Sequence, residues 1–210
     1  ESGIMNDAFP MDFENTLVNT FELKGGLDEI SENNIDYNAQ RRPFLNAGIM
    51  IDKQVTTALG SPQYNGKFQN LGDILLKEDK VPAEFFISSQ ELESWSYLKG
   101  SKKEKRTTKT GYEYNYSEGP VTFPDALDRA SRTIVTGEGG RGASRFKHVV
   151  ETNSGKYRRL TPVELERLNQ FPDNHTKEAS DNKRAFFMGN ALVVGVVEKL
   201  GKSLAERDSK

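Results

Sequence analysis

The segment from Tyr157 to Pro172 constrains the fold of this chain more than any other stretch, because it carries the start and stop signals of one short helix. Thr161 is a favourable N-cap residue, Pro162 occupies the first helical position, and Glu164 completes a capping box with Thr161. The apolar stripe of the helix consists of Leu160, Val163, Leu165 and Leu168. The pattern therefore predicts an amphipathic helix that begins at residue 162 and ends before Pro172.

The composition indicates a polar chain with a modest core. Hydrophobic residues make up 35% of the 210 residues, and the mean hydropathy is -0.70, which is low for a globular protein. The length allows one ordinary domain or two small ones. No apolar run approaches membrane-spanning length and no signal-peptide pattern is present, so we expect a soluble intracellular protein with no membrane partner. Because the sequence begins with Glu1 rather than Met, we expect it to start inside a longer polypeptide.

The chain contains no cysteine and only two histidines, His148 and His175. Disulfides, thiolate metal sites and a cysteine nucleophile are therefore excluded within these 210 residues. Two histidines leave little for a zinc site or a histidine-based triad, so we expect no metal centre.

A basic strip runs from Lys99 to Lys109, with six basic residues against one acidic residue and with aromatic residues on both sides. A flexible strip of this kind suits the neutralisation of DNA phosphates, because each released counterion adds affinity that does not depend on sequence. The alternative is a lysine loop that is merely solvated. The candidate DNA-binding residues of the strip are Lys102, Lys103, Lys105 and Arg106.

A second candidate surface lies at residues 132–147, where a predicted short strand (132–136) leads into a loop with four glycines at 137–142. Glycine lets the backbone approach a partner closely and adopt positive φ. No Gly-Lys-Ser/Thr string follows, so the loop is not a phosphate-binding P-loop. Basic side chains here suit phosphates or guanine edges in the major groove, whereas the alternative is an ordinary surface loop. The candidates are Arg132, Gly139, Gly140, Arg141, Arg145 and Lys147.

Two further patterns predict secondary structure. Residues 49–51 and 55–57 are β-prone runs on either side of a polar turn, which predicts a β-hairpin. Apolar residues that follow Asn190 recur at helical spacing and predict a C-terminal helix from about 190 to 205, with Asn190 as its cap. Together these patterns indicate a loop-rich α+β fold with short strands.

Two strings near the C-terminus resemble motifs of the DNA (cytosine-5)-methyltransferases. Residues 158–172 are similar to motif IX, R-x-L-T-P-x-E-x-x-R-L-Q-G-F-P, except that Asn169-Gln170 stands where the family has Gln-Gly. Residues 187–194 resemble motif X, with Gly189-Asn190-Ala191 at its G-N-A/S-V string. Both motifs occur in the family's order and spacing.

The resemblance implies roles for further residues. Gln40-Arg41-Arg42 is similar to motif VIII, Q-x-R-x-R, whose arginines lie near the target base and its phosphate. Phe44 replaces the second arginine, so Arg42 is the one candidate catalytic residue, and the alternative is a surface arginine pair beside a strand. Thr133-Ile134 matches the pair that precedes the family's glycine-rich loop and lies against DNA. The candidate S-adenosylmethionine-binding residues are Gly189, Asn190 and Ala191.

Three catalytic strings of the family are absent from the sequence: the Pro-Cys-Gln loop with its thiolate, the Glu-Asn-Val segment, and the Phe-x-Gly-x-Gly turn for the methyl donor. The resemblance therefore implies the DNA-recognition portion of an enzyme that methylates C5 of cytosine in a specific sequence, and this chain alone is expected to be inactive. The partners would be double-stranded DNA and a catalytic half on the same polypeptide or on a separate subunit. The alternatives are a non-catalytic DNA-binding or regulatory module derived from the family, and chance similarity.

The resemblance also implies a domain organisation. Residues 1–58 would belong to the end of the catalytic domain, residues 59–175 would form a target-recognition domain, and residues 176–210 would contain motif X and the last helix. In the family that helix packs on a Rossmann-like catalytic domain, which would be missing here. We expect a cytoplasmic, nucleoid-associated prokaryotic protein that takes part in restriction-modification.

Overall fold

The computed structural model describes residues 3–14, 16–23, 25–26 and 43–209. These residues divide between two compact units, which span 1–66 with 198–210, and 67–197. The described residues form helices and short antiparallel strands, so the predicted α+β class is confirmed for them. No described helix combines the length and the apolar character needed to cross a membrane.

The first unit is built on a three-stranded antiparallel sheet with the order β2-β4-β3. Its strands β3 and β4 form a hairpin around Asp52 and Lys53, whose φ angles of 47° and 65° suit a tight two-residue turn. The hairpin predicted from the sequence is therefore confirmed. The elements of this unit are α1 (Ile4–Ala8), β1 (Met11–Asp12), β2 (Val18–Glu22), β3 (Ala47–Ile51), β4 (Gln54–Ala58) and β5 (Ser61–Pro62), which pairs with β1.

The second unit contains two β-hairpins, three full helices and several 3-10 turns. The hairpins are β6 (Lys102–Thr107) with β7 (Glu113–Glu118), and β8 (Val149–Glu151) with β9 (Tyr157–Arg159). The helices are α2 (Ser89–Lys99), α3 (Pro162–Leu168) and α4 (Asp181–Asn190). The 3-10 turns are Leu71–Ile74, Glu78–Lys80, Ala83–Phe85 and Thr136–Glu138. Helix α5 (Val194–Asp208) has its first four residues in this unit and the others in the first unit.

The core of the second unit consists of two clusters of buried side chains. The larger cluster contains Leu71, Ile74, Val150, Leu160, Leu165, Ala185 and Met188, and the smaller one contains Ile87, Trp95 and Val149. Each large aliphatic side chain buried in this way contributes about 1.5–3 kcal/mol. Strand β8 supplies neighbouring residues to both clusters, so it connects the helical part of the core with α2.

Helix α3 begins as the sequence predicts. The Thr161 hydroxyl accepts a hydrogen bond from Glu164 N, and the Glu164 carboxylate accepts one from Thr161 N at 2.7 Å. The same carboxylate is completely buried and forms a bidentate pair with the buried Arg158, at 2.9 and 2.7 Å. It also accepts a hydrogen bond from Leu76 N at 2.8 Å. Glu164 therefore joins α3, β9 and the segment after the first 3-10 turn through one side chain.

A second buried carboxylate, Glu166, connects α3 with α4. It accepts hydrogen bonds from the backbone nitrogens of Asn174 (2.7 Å) and Thr176 (3.0 Å), and from the Arg184 guanidinium (2.9 Å). Burial raises the pKa of Glu166, but the hydrogen bonds from Thr176 and Arg184 outweigh burial and the pKa is lowered overall. The loop between the two helices is thus fixed by the carboxylate, while Phe171 packs the start of the loop against the larger core cluster.

Three predictions about secondary structure were wrong. Asn190 is the last residue of α4 and not the cap of the C-terminal helix, which begins at Val194. Asn169 fixes the junction between these two helices. Its side-chain amide donates to Met188 O at 2.8 Å, and its backbone carbonyl accepts from Val194 N at 2.9 Å.

The other two corrections concern the candidate surfaces. Residues 132–135 form no strand, because the carbonyl of Arg132 lies within hydrogen-bond distance of Ser131 Oγ and His148 Nε2 and pairs with no neighbouring strand. The middle of the basic strip, residues 102–107, is a regular β-strand, β6, because β7 pairs with the whole of it, and Lys99 is the last residue of α2. The expected flexible loop is therefore absent at this position.

We predict that Glu164→Gln lowers the free energy of unfolding by about 3–5 kcal/mol, because it leaves the buried guanidinium of Arg158 without a compensating charge. Denaturation with urea, followed by circular dichroism, measures the change. Glu93→Gln is the matched control: Glu93 is exposed on α2, and its substitution should change stability by less than about 0.5 kcal/mol. Equal effects of the two substitutions would contradict the role assigned to Glu164.

Candidate nucleic-acid interface

The glycine loop, residues 137–142, is anchored at its start by a buried histidine. The Glu138 carboxylate accepts hydrogen bonds from His148 N at 3.0 Å and lies 2.6 Å from His148 Nδ1. The other ring nitrogen, Nε2, lies 3.0 Å from Ser131 Oγ. Ser131, His148 and Glu138 are connected in the way of a hydrolase triad, with the histidine between the other two. His148 is fully buried, however, and no substrate can reach it. The cluster therefore holds residues 131 and 138 together.

Two buried cations hold the glycine loop by its carbonyl groups. Gly140 adopts φ of +80°, and its carbonyl accepts hydrogen bonds from Lys147 Nζ (3.0 Å) and Arg159 Nη1 (2.9 Å). Lys147 Nζ also donates to Gly142 O at 2.8 Å. Burial lowers the pKa of Lys147, and the neighbouring Arg159 lowers it further. We call these two residues the carbonyl clamp, and they fix the conformation of the loop from the protein side.

The arginines predicted to contact DNA differ in their surroundings. Arg132 forms an ion pair with the buried Asp125 and donates to Phe146 O at 3.1 Å. Burial raises the pKa of Asp125, but hydrogen bonds from Arg132 and Val149 N outweigh it, so the pKa is lowered overall. Arg132 is therefore occupied by a contact within the protein.

Arg145 is likewise tied to other parts of the second unit. Its guanidinium donates to the carbonyls of Leu98, Gly100 and Gly119, and lies 3.3 Å from the Glu118 carboxylate. These bonds fasten the two ends of the β6–β7 hairpin. Arg145 thus stabilises the position of the hairpin next to the segment that follows the glycine loop.

Arg141 is different, because it is exposed at the tip of the glycine loop and makes no hydrogen bond or ion pair with the described residues. Thr133 is also exposed and has no such contact in the described part of the chain. A cavity of about 150 Å³ lies beside Arg141, between Arg159, Phe85 and the start of α4. The guanidinium of Arg141 is therefore available to a ligand outside the protein.

The four candidate residues of the basic strip divide between the two faces of the hairpin. Lys102 pairs with Glu118 at 3.7 Å, and Arg106 pairs with Glu104 at 3.2 Å. Lys103 and Lys105 are exposed and form no ion pair with the described residues. Two of the four cations, Lys102 and Arg106, therefore form ion pairs within the hairpin, and the other two remain accessible to an external ligand.

The candidate cofactor residues lie at the end of α4. A Cβ on Gly189 would overlap the backbone of residues 135–136, within 2.6 Å of Thr136 Cα, so the glycine lets α4 approach the turn before the glycine loop. Asn190 is exposed, and its side-chain amide donates to Phe186 O at 3.0 Å. Ala191 is half-buried against the larger core cluster. Arg42, the candidate catalytic residue, lies outside the described residues.

Several residues of this region were not identified from the sequence. Glu138 and Asp125 have no motif or spacing that marks them, Arg159 stands at a variable position of motif IX, and the partners of all three are distant in sequence. The histidine count drew attention to His148, but not to its pairing with Glu138. Among the described residues, no group of three or more His, Cys, Asp or Glu side chains is arranged to hold a metal ion.

Comparison with known proteins places the chain in a family. The model of the C-5 cytosine-specific DNA methylases matches residues 13–206. The chain belongs to this family. It is 38% identical to the type II methyltransferase M.Sau3AI of Staphylococcus aureus, over 99% of the chain and 48% of that relative. It is 26% identical to the type II methyltransferase M.HpaII of Haemophilus parainfluenzae, over 70% of the chain and 41% of that relative.

The chain thus spans about half the length of the curated relatives it matches. No solved structure shows a significant match to the chain. Membership of the methylase family confirms the resemblance that motifs IX and X indicated. The roles of individual site residues stay predictions.

The departure from motif IX has a structural explanation. Gln170, which stands where the family has glycine, adopts φ of 62°, the left-handed conformation that glycine adopts without strain. Its side-chain carbonyl accepts a hydrogen bond from Gly195 N at 3.0 Å, near the start of α5. The backbone conformation expected of the family glycine is therefore present, and the side chain adds a contact that glycine lacks.

We predict that Gln170→Ala lowers the free energy of unfolding by about 1 kcal/mol, because it removes the hydrogen bond to Gly195 N and keeps a side chain at positive φ. Gln170→Gly should cost less, because the relief of backbone strain offsets the missing hydrogen bond. Thermal denaturation of both variants measures the order of stabilities. A Gly variant less stable than the Ala variant would show that strain at this position is negligible.

Proposed function

We propose that this chain is the DNA-recognition portion of a DNA (cytosine-5)-methyltransferase. The observation that carries the proposal is the arrangement of cations around the glycine loop. Arg132, Arg145 and Lys147 are held by groups within the protein, whereas Arg141 is exposed on a loop that the carbonyl clamp fixes. A rigid loop with one free guanidinium suits recognition of a base edge.

The chemistry of arginine fits this role. A guanidinium can donate two parallel hydrogen bonds to O6 and N7 of guanine in the major groove, which discriminates against the wrong base by about 1–3 kcal/mol. Lys147 and Arg159 hold Gly140 O and so fix the loop before DNA binds. Binding of DNA therefore costs little conformational entropy in the loop backbone. The exposed Thr133 lies in the segment that the family places against DNA, and we propose that it contacts the same duplex.

The nucleophile of the reaction would come from outside this chain. In the family, a cysteine thiolate attacks C6 of a cytosine that has been flipped out of the duplex, and C5 then accepts a methyl group from S-adenosylmethionine. None of the 210 residues is a cysteine. We therefore infer that a catalytic half, on the same polypeptide or on a separate subunit, supplies the thiolate, while this chain positions the DNA.

Residues near the end of α4 fit one wall of a site for S-adenosylmethionine. Phe186, Phe187 and Leu192 are exposed apolar side chains, and the exposed amide of Asn190 lies among them in sequence. An apolar surface with one amide suits a ligand that has an adenine ring and polar substituents. Gly189, whose missing side chain allows α4 to pack on residues 135–136, would set the position of this wall.

Exposed apolar surface supports a catalytic-half partner. In the first unit, Ile49, Met50 and Ile51 of β3 are all exposed. On α5, Val196, Val197 and Leu204 are exposed as well. Exposed apolar side chains of this kind suit an interaction site, and they favour an enzyme with a second half over a free-standing DNA-binding module, which is the alternative function. The predicted domain division at residues 58 and 175, and a role for Arg42 near the target base, remain part of this proposal.

The cellular setting follows from the relatives. Both are bacterial type II methyltransferases. We propose that the present chain likewise acts on the chromosomal DNA of a prokaryote, in the cytoplasm, and protects it in a restriction-modification system.

We predict that the isolated chain transfers no methyl group to DNA, because it has no thiol to add to C6. Purified chain is incubated with tritium-labelled S-adenosylmethionine and duplex DNA of mixed sequence, and incorporation into DNA is counted. A full-length family member is the positive control. Incorporation above background by the isolated chain would contradict the location assigned to the nucleophile.

We predict that Arg141→Ala relaxes sequence preference in the natural full-length protein, with a loss of about 1–3 kcal/mol of discrimination at one base pair. Duplexes selected from a random library by the wild type and by the variant give the measurement. An unchanged set of preferred sites would assign base recognition to another exposed residue of this surface, with Thr133 as the next candidate.

Two substitutions separate recognition from scaffolding. Gly140→Val should weaken binding to all duplexes, because a β-branched residue does not tolerate φ of +80° and the carbonyl clamp would no longer form. Thr161→Ala should lower the free energy of unfolding by about 1 kcal/mol through loss of the helix cap and leave sequence preference intact.

A further inference from the structure

We propose that the β6–β7 hairpin is a second DNA-contacting arm, which binds the phosphate backbone through only one of its two faces. The proposal rests on the proposed function, since it assumes that the chain binds duplex DNA. It concerns a surface separate from the glycine loop, and it assigns opposite roles to basic residues that are neighbours in sequence.

The strand register separates the side chains into two sets. Lys102 pairs with Glu118, Glu104 with Tyr116, and Arg106 with Tyr114 across the ladder. Because side chains alternate along a strand, these residues share one face, and the intervening pairs share the other. The second face contains Lys103 opposite Ser117, Lys105 opposite Asn115, and Thr107 opposite Glu113.

The first face neutralises its own charge. Lys102 lies 3.7 Å from the Glu118 carboxylate, and Arg106 lies 3.2 Å from that of Glu104. The Arg106 guanidinium also lies 3.5 Å from the centre of the Tyr116 ring, a cation–π interaction that covers the ring. These cations are already paired, and binding of a phosphate would require them to give up their partners. We therefore exclude this face from DNA contact.

The second face keeps its positive charge. Lys103 and Lys105 are exposed and have no carboxylate partner among the described residues, and the residues opposite them on β7, Ser117 and Asn115, are neutral and polar. One acidic residue, Glu113, lies on this face at the end near the turn. The two lysines are two residues apart on one strand, about 6.6–6.8 Å along it, so each can bind a separate phosphate.

The chemistry of this face favours a DNA backbone over a base edge. Lysine is a compact point charge that binds phosphate without the bidentate geometry of arginine, so the interaction carries no sequence information. A two-stranded β-ribbon is also an element that can approach duplex DNA closely. The glycine loop would recognise sequence, and the hairpin would add affinity for any duplex.

Arg145 fixes the arm in relation to the glycine loop, which lies in the same unit. Its guanidinium bonds to the carbonyls of Gly100 and Gly119 on either side of the hairpin base. Val121 N donates to Lys99 O at 2.8 Å and closes that base. Because residue 145 follows the glycine loop by only three positions, the two DNA-contacting elements are held by one connection.

The test compares two double variants of the natural full-length protein that remove the same net charge. In one, Lys103→Ala is combined with Lys105→Ala; in the matched control, Lys102→Ala is combined with Arg106→Ala. Affinity is measured for a preferred duplex and for an unrelated duplex at salt concentrations between roughly 50 and 200 mM. Circular dichroism checks that both variants are folded.

We expect the Lys103 and Lys105 variant to make the slope of log affinity against log salt shallower by about 1.8 on both duplexes, because each phosphate that is no longer neutralised accounts for about 0.9. The control should change the slope by less than half of that amount. Equal changes of slope in the two variants, or an unchanged slope in the first, would contradict the proposal that one face of the hairpin binds the DNA backbone. Failure of the wild type to bind any duplex would overturn the proposed function as well, so the two failures are distinguishable.

Discussion

The second unit depends on the buried ion pair between the Glu164 carboxylate and the Arg158 guanidinium. A charge with no access to water is tolerated only when it is fully paired and hydrogen-bonded. Arg158 supplies the charge, while Thr161 and Leu76 N supply further donors. Since these groups come from β9, from the cap of α3 and from the segment after the first 3-10 turn, all three must be in place at once. The larger core cluster packs around this arrangement.

The same principle determines which cations remain available to a ligand. Lys147 and Arg159 direct their charges at the carbonyl of Gly140, and Arg132 directs its charge at Asp125. Each of these groups contributes to the fold by fixing a loop whose backbone has little regular hydrogen bonding. What remains is one exposed guanidinium at the tip of the loop. Most of the basic residues of this segment thus serve as scaffold, and the exposed Arg141 is the one proposed to recognise a base.

The motif IX helix organises its surroundings beyond its own length. Its end, Asn169-Gln170, differs from the family pattern, and both side chains are used: Asn169 bonds to Met188 O and Gln170 to Gly195 N. These two hydrogen bonds fix where α4 ends and α5 begins. The position of motif X, at the end of α4, is therefore linked directly to motif IX. The proposed recognition region, which includes α3, and the expected cofactor wall at the end of α4 are therefore connected by these hydrogen bonds.

The sequence alone determined the features whose causes are local. The start of α3 follows from Thr161, Pro162 and Glu164, because capping acts within one helical turn. The family follows from motifs IX and X, because each is a run of consecutive residues. The β3–β4 hairpin likewise follows from a short polar turn between two β-prone runs. The tertiary structure decided which arginines are free, since Arg145 bonds to Leu98, which lies 47 positions earlier in the chain. It also decided the end of α4 and the pairing of Glu138 with His148. Such pairings depend on which segments meet in space, and no local pattern of residue types encodes that.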